Sequence, residues 1–532
     1  MTRSRKFAVA AAVLLVPALA GGFVLQERAP RSGALLLDQV LSLVSDRYVD
    51  SLPTGDVYEK AATGLVRELN DPYSQLFTPE ELKNFTTNTS GHYGGIGMQI
   101  ESQNGLITVS KVFPNTPAEA AGVLEGDQIV GVDTLNARGW TLTQTSDYLT
   151  GTPGTKVKVR FARPGVAVPI SVEFTRAVIH VPAVPYSMML SGNIGYIPLQ
   201  QFNETAARDV AVAARALRKQ GARGIILDER GNPGGYVDQS LALAGLFLKK
   251  GQEILSVRTR TGPTEVDSAD GSPEFGGVPL IVLTDPSTAS AAEIVAGALQ
   301  DHDRALIVGQ TSFGKGLVQS VYPLDDGYAL KLTTGKWYTP SGRSIQRERK
   351  VVDGHFVPMP LDSAESNESK KKRPAFRSDD GRVVYGGGGI TPDVIVPDDT
   401  LTTAELALAK ALAPKSQEVY VTLYAFALDL SHHLRPGFAY DPAWRAEFIK
   451  RLDGKGVTVD PKLYANAPAY LDRLIEDRVV RFVEGDSAAK RRELRFDAPL
   501  EKAIQLMEKA KTQQDLFRVA DASAPTTSPK KP

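Results

Sequence analysis

Hydrophobic and polar positions fall into four regimes along the chain, each predicting a different kind of element. From Leu35 to Phe85 apolar residues recur at helical spacing (Leu37, Val40, Leu41, Val44, then Leu65 and Leu69), broken by Asn70-Asp71-Pro72 and Thr78-Pro79. This predicts a small helical segment over 31–85. Over 86–176 the pattern becomes short, strand-like and cut by Gly and Pro, with Met98 and Ile100, Leu106 to Val109, Pro117-Ala118, and Val123 to Val130. A compact β-rich unit follows. Between 193 and 340 the two periods take turns: strands are expected near 194–199, 224–228, 254–257, 280–283 and 305–308, helices near 204–220, 237–249 and 291–300. That alternation predicts a parallel or mixed sheet with crossover helices, in a core over 177–400. From 401 to 522 the period is helical again, as at Tyr470–Ile475 and Leu500–Met507. The fold class expected is multidomain α+β.

Composition changes the picture at the ends. A chain of 532 residues exceeds one core and calls for about three or more domains. Thr2 to Lys6 is basic and Phe7 to Leu25 is apolar, with Ala18-Leu19-Ala20 before Gly21-Gly22, the pattern of an export segment. Residues 1–25 are read as a signal peptide or a membrane anchor, since 19 apolar residues at 1.5 Å rise nearly cross a bilayer. The expected location is periplasmic or otherwise extracytoplasmic, with membrane anchoring left open. A polar insertion at about 351–386 includes the low-complexity stretch 362–373, and 523–532 reads as a disordered tail. Lys plus Arg equals Asp plus Glu at 61 each, which excludes nucleic acid as a partner suggested by charge. The chain has no cysteine, hence no disulfide framework, thiolate metal site or lipidated thiol, and no metal or cofactor is expected.

Candidate chemistry centres on Ser290 and Lys315. Ser290 lies where the apolar strand Leu280–Leu283 gives way, through small residues, to a helix. Ser290-Ala-Ala-Glu293 by itself fits a capping box; the strand and small residues before it set against that a nucleophile elbow with helix N-terminal dipoles facing a carbonyl. A serine needs a proton acceptor. The chain has only six histidines and no G-x-S-x-G, and His302 would lie roughly 15 Å away at the far end of that helix. Lys315, flanked by Gly314 and Gly316, is the better candidate base. Its pKa must then fall from about 10.4 to about 7 or 8, a differential cost of about 3–5 kcal/mol that burial supplies. Gln319 can orient the amine without adding charge. Ser312-Phe-Gly-Lys315 also forms an S-x-x-K string, but glycines on both sides of the lysine argue for a loop where that motif needs a helical turn. Asp228 to Gly235 leaves a buried strand, and its glycines free N–H groups to meet a developing oxyanion.

Gly95-Ile96-Gly97-Met98, followed by Ala121-Gly122-Val123 through Asp127, resembles a PDZ domain, in which such a loop receives a terminal carboxylate and the peptide adds a strand to a sheet edge. With Asn70-Asp-Pro-Tyr-Ser74, Gly94-Gly-Ile-Gly97, Asp228 to Gly235, Thr288 to Glu293, Gly314-Lys315-Gly316, Gln319 and Pro340 to Ile345 in order, the chain over about 35–400 resembles a carboxyl-terminal processing peptidase, or tail-specific protease. The resemblance implies a PDZ domain on a crotonase-like α/β peptidase core. It implies Ser290 as nucleophile, Lys315 as base, Gln319 as its orienting residue, oxyanion donors from Gly234 or Gly235 and from Ala291, and Asp301 as an additional acid. The family often has a serine where Ala292 stands and a polar residue where Gly231 stands; neither carries the proton transfer.

The expected activity is that of an exported serine endopeptidase acting on proteins or peptides with accessible C-termini. The alternative is a catalytically silent PDZ scaffold; a thioester-binding role, borrowed from the crotonase likeness, is disfavoured by the PDZ insertion. Apolar stripes after 400 suggest homo-oligomer formation or adaptor docking, with truncation at about residue 400 as the test of self-association.

Overall fold

The computed structural model describes residues 33–103, 106–163, 166–347, 349–352, 355–358, 373–397 and 401–523. Residues 1–25, expected to form a signal peptide or membrane anchor, residues 362–372 of the low-complexity stretch and the tail beyond 523 lie outside them. Among the described residues no helix is long and apolar enough to cross a membrane. The chain divides into two units, one combining residues up to 82 with 319–334, the other holding 83–318 and 335 onward.

In the first unit, helices over 33–47 and Thr54–Arg67 precede the strand Gln75–Phe77, which pairs antiparallel with residues 329–331. The Asn70-Asp71-Pro72 break is a turn stitched by the Asp71 carboxylate, which accepts the Tyr73 N–H and the Ser74 hydroxyl. Ser74 in turn accepts the Thr333 N–H at 3.0 Å.

The second unit begins with the expected β-rich domain. Antiparallel strands Met98–Gln103, Leu106–Val112, Gln128–Val132, Lys156–Ala162 and Ile170–Thr175 form its sheet, accompanied by the helix Leu142–Leu149. Period-two patterning sends Val157, Val159 and Phe161 into its core with Ile107, Val109 and Ile129. A ribbon of His92–Gly95 against Ala177–His180 closes its entry and exit.

The α/β core is a six-stranded sheet in the order Met188–Leu190, Ile194–Pro198, Gly224–Asp228, Leu280–Thr284, Leu306–Gly309, Val394–Ile395, with all neighbours parallel after the first antiparallel pair. The parallel strands appear in sequence order. Right-handed crossovers between strands that advance in one direction put every connecting helix on one face. Ala206–Lys219, Val237–Gly245 and Ala291–Asp301 accordingly pack with Ile225, Leu227, Leu280 and Val282. The opposite face carries Ile226, Ile281, Leu283 and Val308, and it needs a separate cover.

That cover comes from the end of the chain. Helices Ala498–Lys509 and Gln513–Ser523 bury Leu500, Leu506, Met507, Leu516 and Phe517 on it. The boundary expected at 400 therefore cuts through the core: the edge strand Val394–Ile395 lies inside it as expected, but residues 498–523 also belong to the sheet's layers. The helices from Thr403 to Glu493 have a core of their own around Leu408, Phe426, Phe448, Leu471 and Ile475. Each large side chain on the second face contributes about 1.5–3 kcal/mol by leaving water. Truncation at 400 would strip that cover, so it does not isolate self-association. The strand expected at 254–257 also goes elsewhere. Glu253–Thr259 turns back through Gly262 to pair antiparallel with Glu265–Ser268, and on its other edge with residues 335–338.

Candidate active site

Two adjacent parallel strands end in the two loops that matter. Gly224–Asp228 runs into the glycine loop and Leu280–Thr284 into the turn that carries Ser290, so sheet register alone brings the loops side by side. Three bonds fix them together: Ala289 N–H to Asn232 O (2.9 Å), Thr288 Oγ1 to Glu229 O (2.8 Å) and Gly231 N–H to Asp285 Oδ1 (3.0 Å). Glycine is required at 234, since a Cβ there would lie 2.7 Å from Ala289 O and 2.8 Å from Ser290 Cβ.

Ser290 has φ +55° and ψ −114°, a conformation that costs a non-glycine residue about 1–3 kcal/mol. A capping serine needs no such strain; an elbow that thrusts its hydroxyl out of a strand–helix turn does. The Glu293 half of the capping box forms, with its carboxylate accepting the Ser290 N–H at 2.8 Å.

Glu293 does more than cap. It is fully buried, and its Oε2 also accepts the Lys315 N–H at 2.9 Å, while Oε1 accepts the Gly314 N–H and the Ser312 hydroxyl. Two donors on one oxygen place the backbone nitrogens of Ser290 and Lys315 within about 6 Å of each other. Burial pushes the Glu293 carboxyl above its ordinary range, and the four donors oppose that rise. The lysine loop is held from its other side as well. Phe313 N–H donates to Thr288 O, the Trp337 indole to Lys315 O, and Gly316 N–H to Gln346 Oε1. Lys315 itself is partly buried.

The remaining expected residues divide. Ser312 is buried, its hydroxyl bonded to Glu293 and receiving the Ile390 N–H, in a stretch with no helical turn before Lys315. His302 caps the far end of the Ser290 helix, with ring nitrogens engaged by Asp379 and Glu253 O. Asp301 is not poised as an extra acid: its carboxylate is occupied by the fully buried Arg343, by Thr339 Oγ1 and by Ser341 N–H. Gly234 is corrected as an oxyanion donor too, because its N–H donates to Asn232 Oδ1 at 2.9 Å. Gln319 lies on the strand Leu317–Pro323, in the first unit, with its amide 3.5 Å from Thr333 Oγ1.

Glu229, on the same loop, was passed over by sequence reading. It is fully buried with neither carboxylate oxygen hydrogen-bonded, and burial, then the charge of Asp228, pushes its carboxyl well above the ordinary value. The folded state thus holds a proton that the unfolded chain releases above about pH 4.3, and stability falls as pH rises beyond that point. Glu229→Leu is expected to stabilise the core by about 1–3 kcal/mol at pH 7, with a gain that grows from pH 4 to pH 8. Urea unfolding across that range checks it; a gain independent of pH would count against a buried neutral acid.

In the β-rich domain, a groove of about 720 Å³ runs between Ile100 and the helix residues Leu142, Ser146 and Asp147, with Lys83 and Thr87 on a further wall. Gly94 and Tyr93 face it. Gly95, Ile96, Gly97 and Met98, expected to receive the carboxylate, are buried, with the Ile96 and Met98 side chains in the domain core. A Cβ at Gly97 (φ +90°) would overlap Thr116, which explains the glycine there.

Residues 193–354 match the family model of Peptidase family S41, and residues 94–174 that of the PDZ domain. The carboxy-terminal processing protease CtpA of Bacillus subtilis strain 168 is 36% identical over 312 residues, covering 59% of this chain and 66% of that protein. The carboxy-terminal-processing protease of Bartonella bacilliformis is 39% identical over 315 residues, 58% of this chain and 71% of that one. The match thus spans about two thirds of each relative's length. The solved structure of a photosystem II D1 C-terminal processing protease is 28% identical over 61% of this chain and 91% of its own, with a TM-score of 0.36.

Proposed function

The chain belongs to the carboxy-terminal processing proteases of peptidase family S41, and from that membership, with the basic-then-apolar residues 2–25, we propose that it is an exported endopeptidase that takes unstructured C-terminal tails in its PDZ groove and cleaves by acyl transfer to Ser290. One observation carries the proposal: the strained Ser290 turn and the Lys315 loop share a single buried carboxylate, Glu293, while the glycine loop packs against the serine. The neutral Lys315 amine takes the Ser290 proton as Oγ attacks the scissile carbonyl. Gly235 and Ala291 N–H groups receive the oxyanion, and the ammonium then protonates the leaving amine. Water, deprotonated by the same amine, releases the acyl group.

The test uses one denatured substrate protein with and without its last few residues. Cleavage of the intact tail only, lost in Ser290→Ala while tail binding persists, is the expected result. Turnover retained in Ser290→Ala removes the mechanism, and tail binding by the wild type with no turnover would make the chain a scaffold.

A further inference from the structure

The strand Gly224–Asp228 that leads into the glycine loop is bolted at both ends to the helix Ala498–Lys509, which lies outside the residues 193–354 matched to the peptidase family. At the strand's start, the Arg223 guanidinium donates to the carbonyls of Met507 (2.8 Å) and Ala510 (2.7 Å) at the helix C-terminus. A Cβ at Gly224 would lie 2.5 Å from Met507 Sδ, so the helix sits directly on the strand. At the strand's end, Arg230 reaches across to Asp497, the N-cap of the same helix, through two parallel bonds of 2.8 and 2.6 Å. Asp497 Oδ1 simultaneously accepts the Leu500 N–H. The other side of the Arg230 fork grips Asp228 at 2.9 and 2.7 Å, and Asp228 also accepts the Tyr196 hydroxyl.

The two ends differ in what they control. Arg223 stands at the far end of the strand from the chemistry, whereas Arg230 is the residue before Gly231 and opens the loop that packs on Ser290. A cavity of about 910 Å³ lies against Asp228, Arg230, Gly231 and Asp497, so on that flank the loop has no packed wall. A bidentate arginine–carboxylate pair fixes direction as well as distance. Arg230 and Asp497 are each only 17% exposed, which shields the pair from screening.

We infer that Asp497 is a positioning residue for the oxyanion loop: through Arg230, the helix after residue 497 sets where the Gly235 N–H points. This rests on the peptidase reading above. The test compares the full-length wild type with Asp497→Asn, which keeps an N-cap but loses the charge that orients Arg230. Arg230→Lys serves as a second variant and Arg223→Gln as a control. Reactive serines are counted with a fluorophosphonate, and cleavage of an unfolded-tail substrate is expressed per reactive serine.

A displacement of the donor loop is expected to lower that per-site rate by about 10- to 100-fold in Asp497→Asn and Arg230→Lys. Affinity for a peptidyl boronate, which forms a tetrahedral adduct, should fall by the same factor while the affinity for a C-terminal tail peptide stays unchanged. Arg223→Gln should lower the melting temperature and leave the per-site rate within twofold. A purely structural role would reduce the count of reactive serines and spare the rate of those remaining. A per-site rate within twofold of wild type in both Asp497→Asn and Arg230→Lys overturns the inference and leaves the peptidase reading standing. A wild type that does not cleave overturns both.

Discussion

Replacing Lys315 with methionine is expected to cut turnover of an unfolded-tail substrate by about ten-thousand-fold while leaving tail binding intact. Methionine keeps the unbranched apolar stem and removes only the amine. The loop should hold its course, because these anchoring bonds use its backbone: Lys315 N–H to Glu293, the Trp337 indole to Lys315 O, and Gly316 N–H to Gln346. Lys315→Arg sharpens the test. Arginine keeps a positive charge and adds donors, yet its guanidinium is not deprotonated at any working pH. A lysine that acts as base cannot be replaced by arginine; a lysine that merely supplies charge can. Single-turnover kinetics of the two variants separate these roles, and an arginine variant within tenfold of wild type would remove lysine as the proton acceptor.

The second large effect is expected at Glu293. A carboxylate offers two acceptor oxygens, here facing four donors: Ser290 and Lys315 N–H on one, Ser312 hydroxyl and Gly314 N–H on the other. Glu293→Gln keeps the shape but turns one of those oxygens into an NH₂ that confronts donors. Losing two bonds to a buried charged acceptor costs about 3–5 kcal/mol. The serine turn and the lysine loop then lose their shared anchor, and a misplacement of about 1 Å between reacting groups lowers the rate about 100-fold. Urea unfolding and the rate per reactive serine check both parts. Wild-type turnover in Glu293→Gln would show that the two loops are aligned without the carboxylate.

Much of this arrangement was legible in the chain. Short apolar runs bounded by Gly, Pro or Asp, such as Leu280–Leu283 and Ile225–Leu227, read as buried strands, and the small residues before Ser290 mark the turn after one of them. What local pattern could not supply is non-local partnership. Glu293 reads as the return half of a capping box three residues from Ser290, and nothing in its neighbourhood says that its other donors come from residues 312–315. Asp301, expected as an additional acid, and Gly234, one of two alternative oxyanion donors, show the same limit. Arg343 and Asn232, which occupy their polar atoms, are invisible until the chain is folded. Of the two alternative glycine donors, the turn itself uses the Gly234 N–H, which leaves Gly235 as the one carried into the proposal.

The boundary at 400 failed for a reason that was available in principle. Helical periodicity is alike in Thr403–Leu412 and in Ala498–Lys509, though one packs in a separate helical core and the other on the sheet. Parallel strands laid down in sequence order with right-handed crossovers leave one face bare, and only residues outside the alternating region remain to cover it. Counting faces, where the periodicity counted elements, points to the chain's end. Glu229 is the converse case: a charged letter in a loop reads as solvent-facing, and its burial follows only from the strand parity that turns Leu227, and then Glu229, toward the helices.

Labelling the full-length protein with a fluorophosphonate across pH 5 to 10 and mapping the modified residue by mass spectrometry tests the Ser290–Lys315 assignment most directly. The label is expected on Ser290, at a rate that rises with pH as the amine loses its proton and that collapses in Lys315→Met at every pH. A label on another residue, or labelling of Ser290 at an undiminished rate in Lys315→Met, would contradict the assignment.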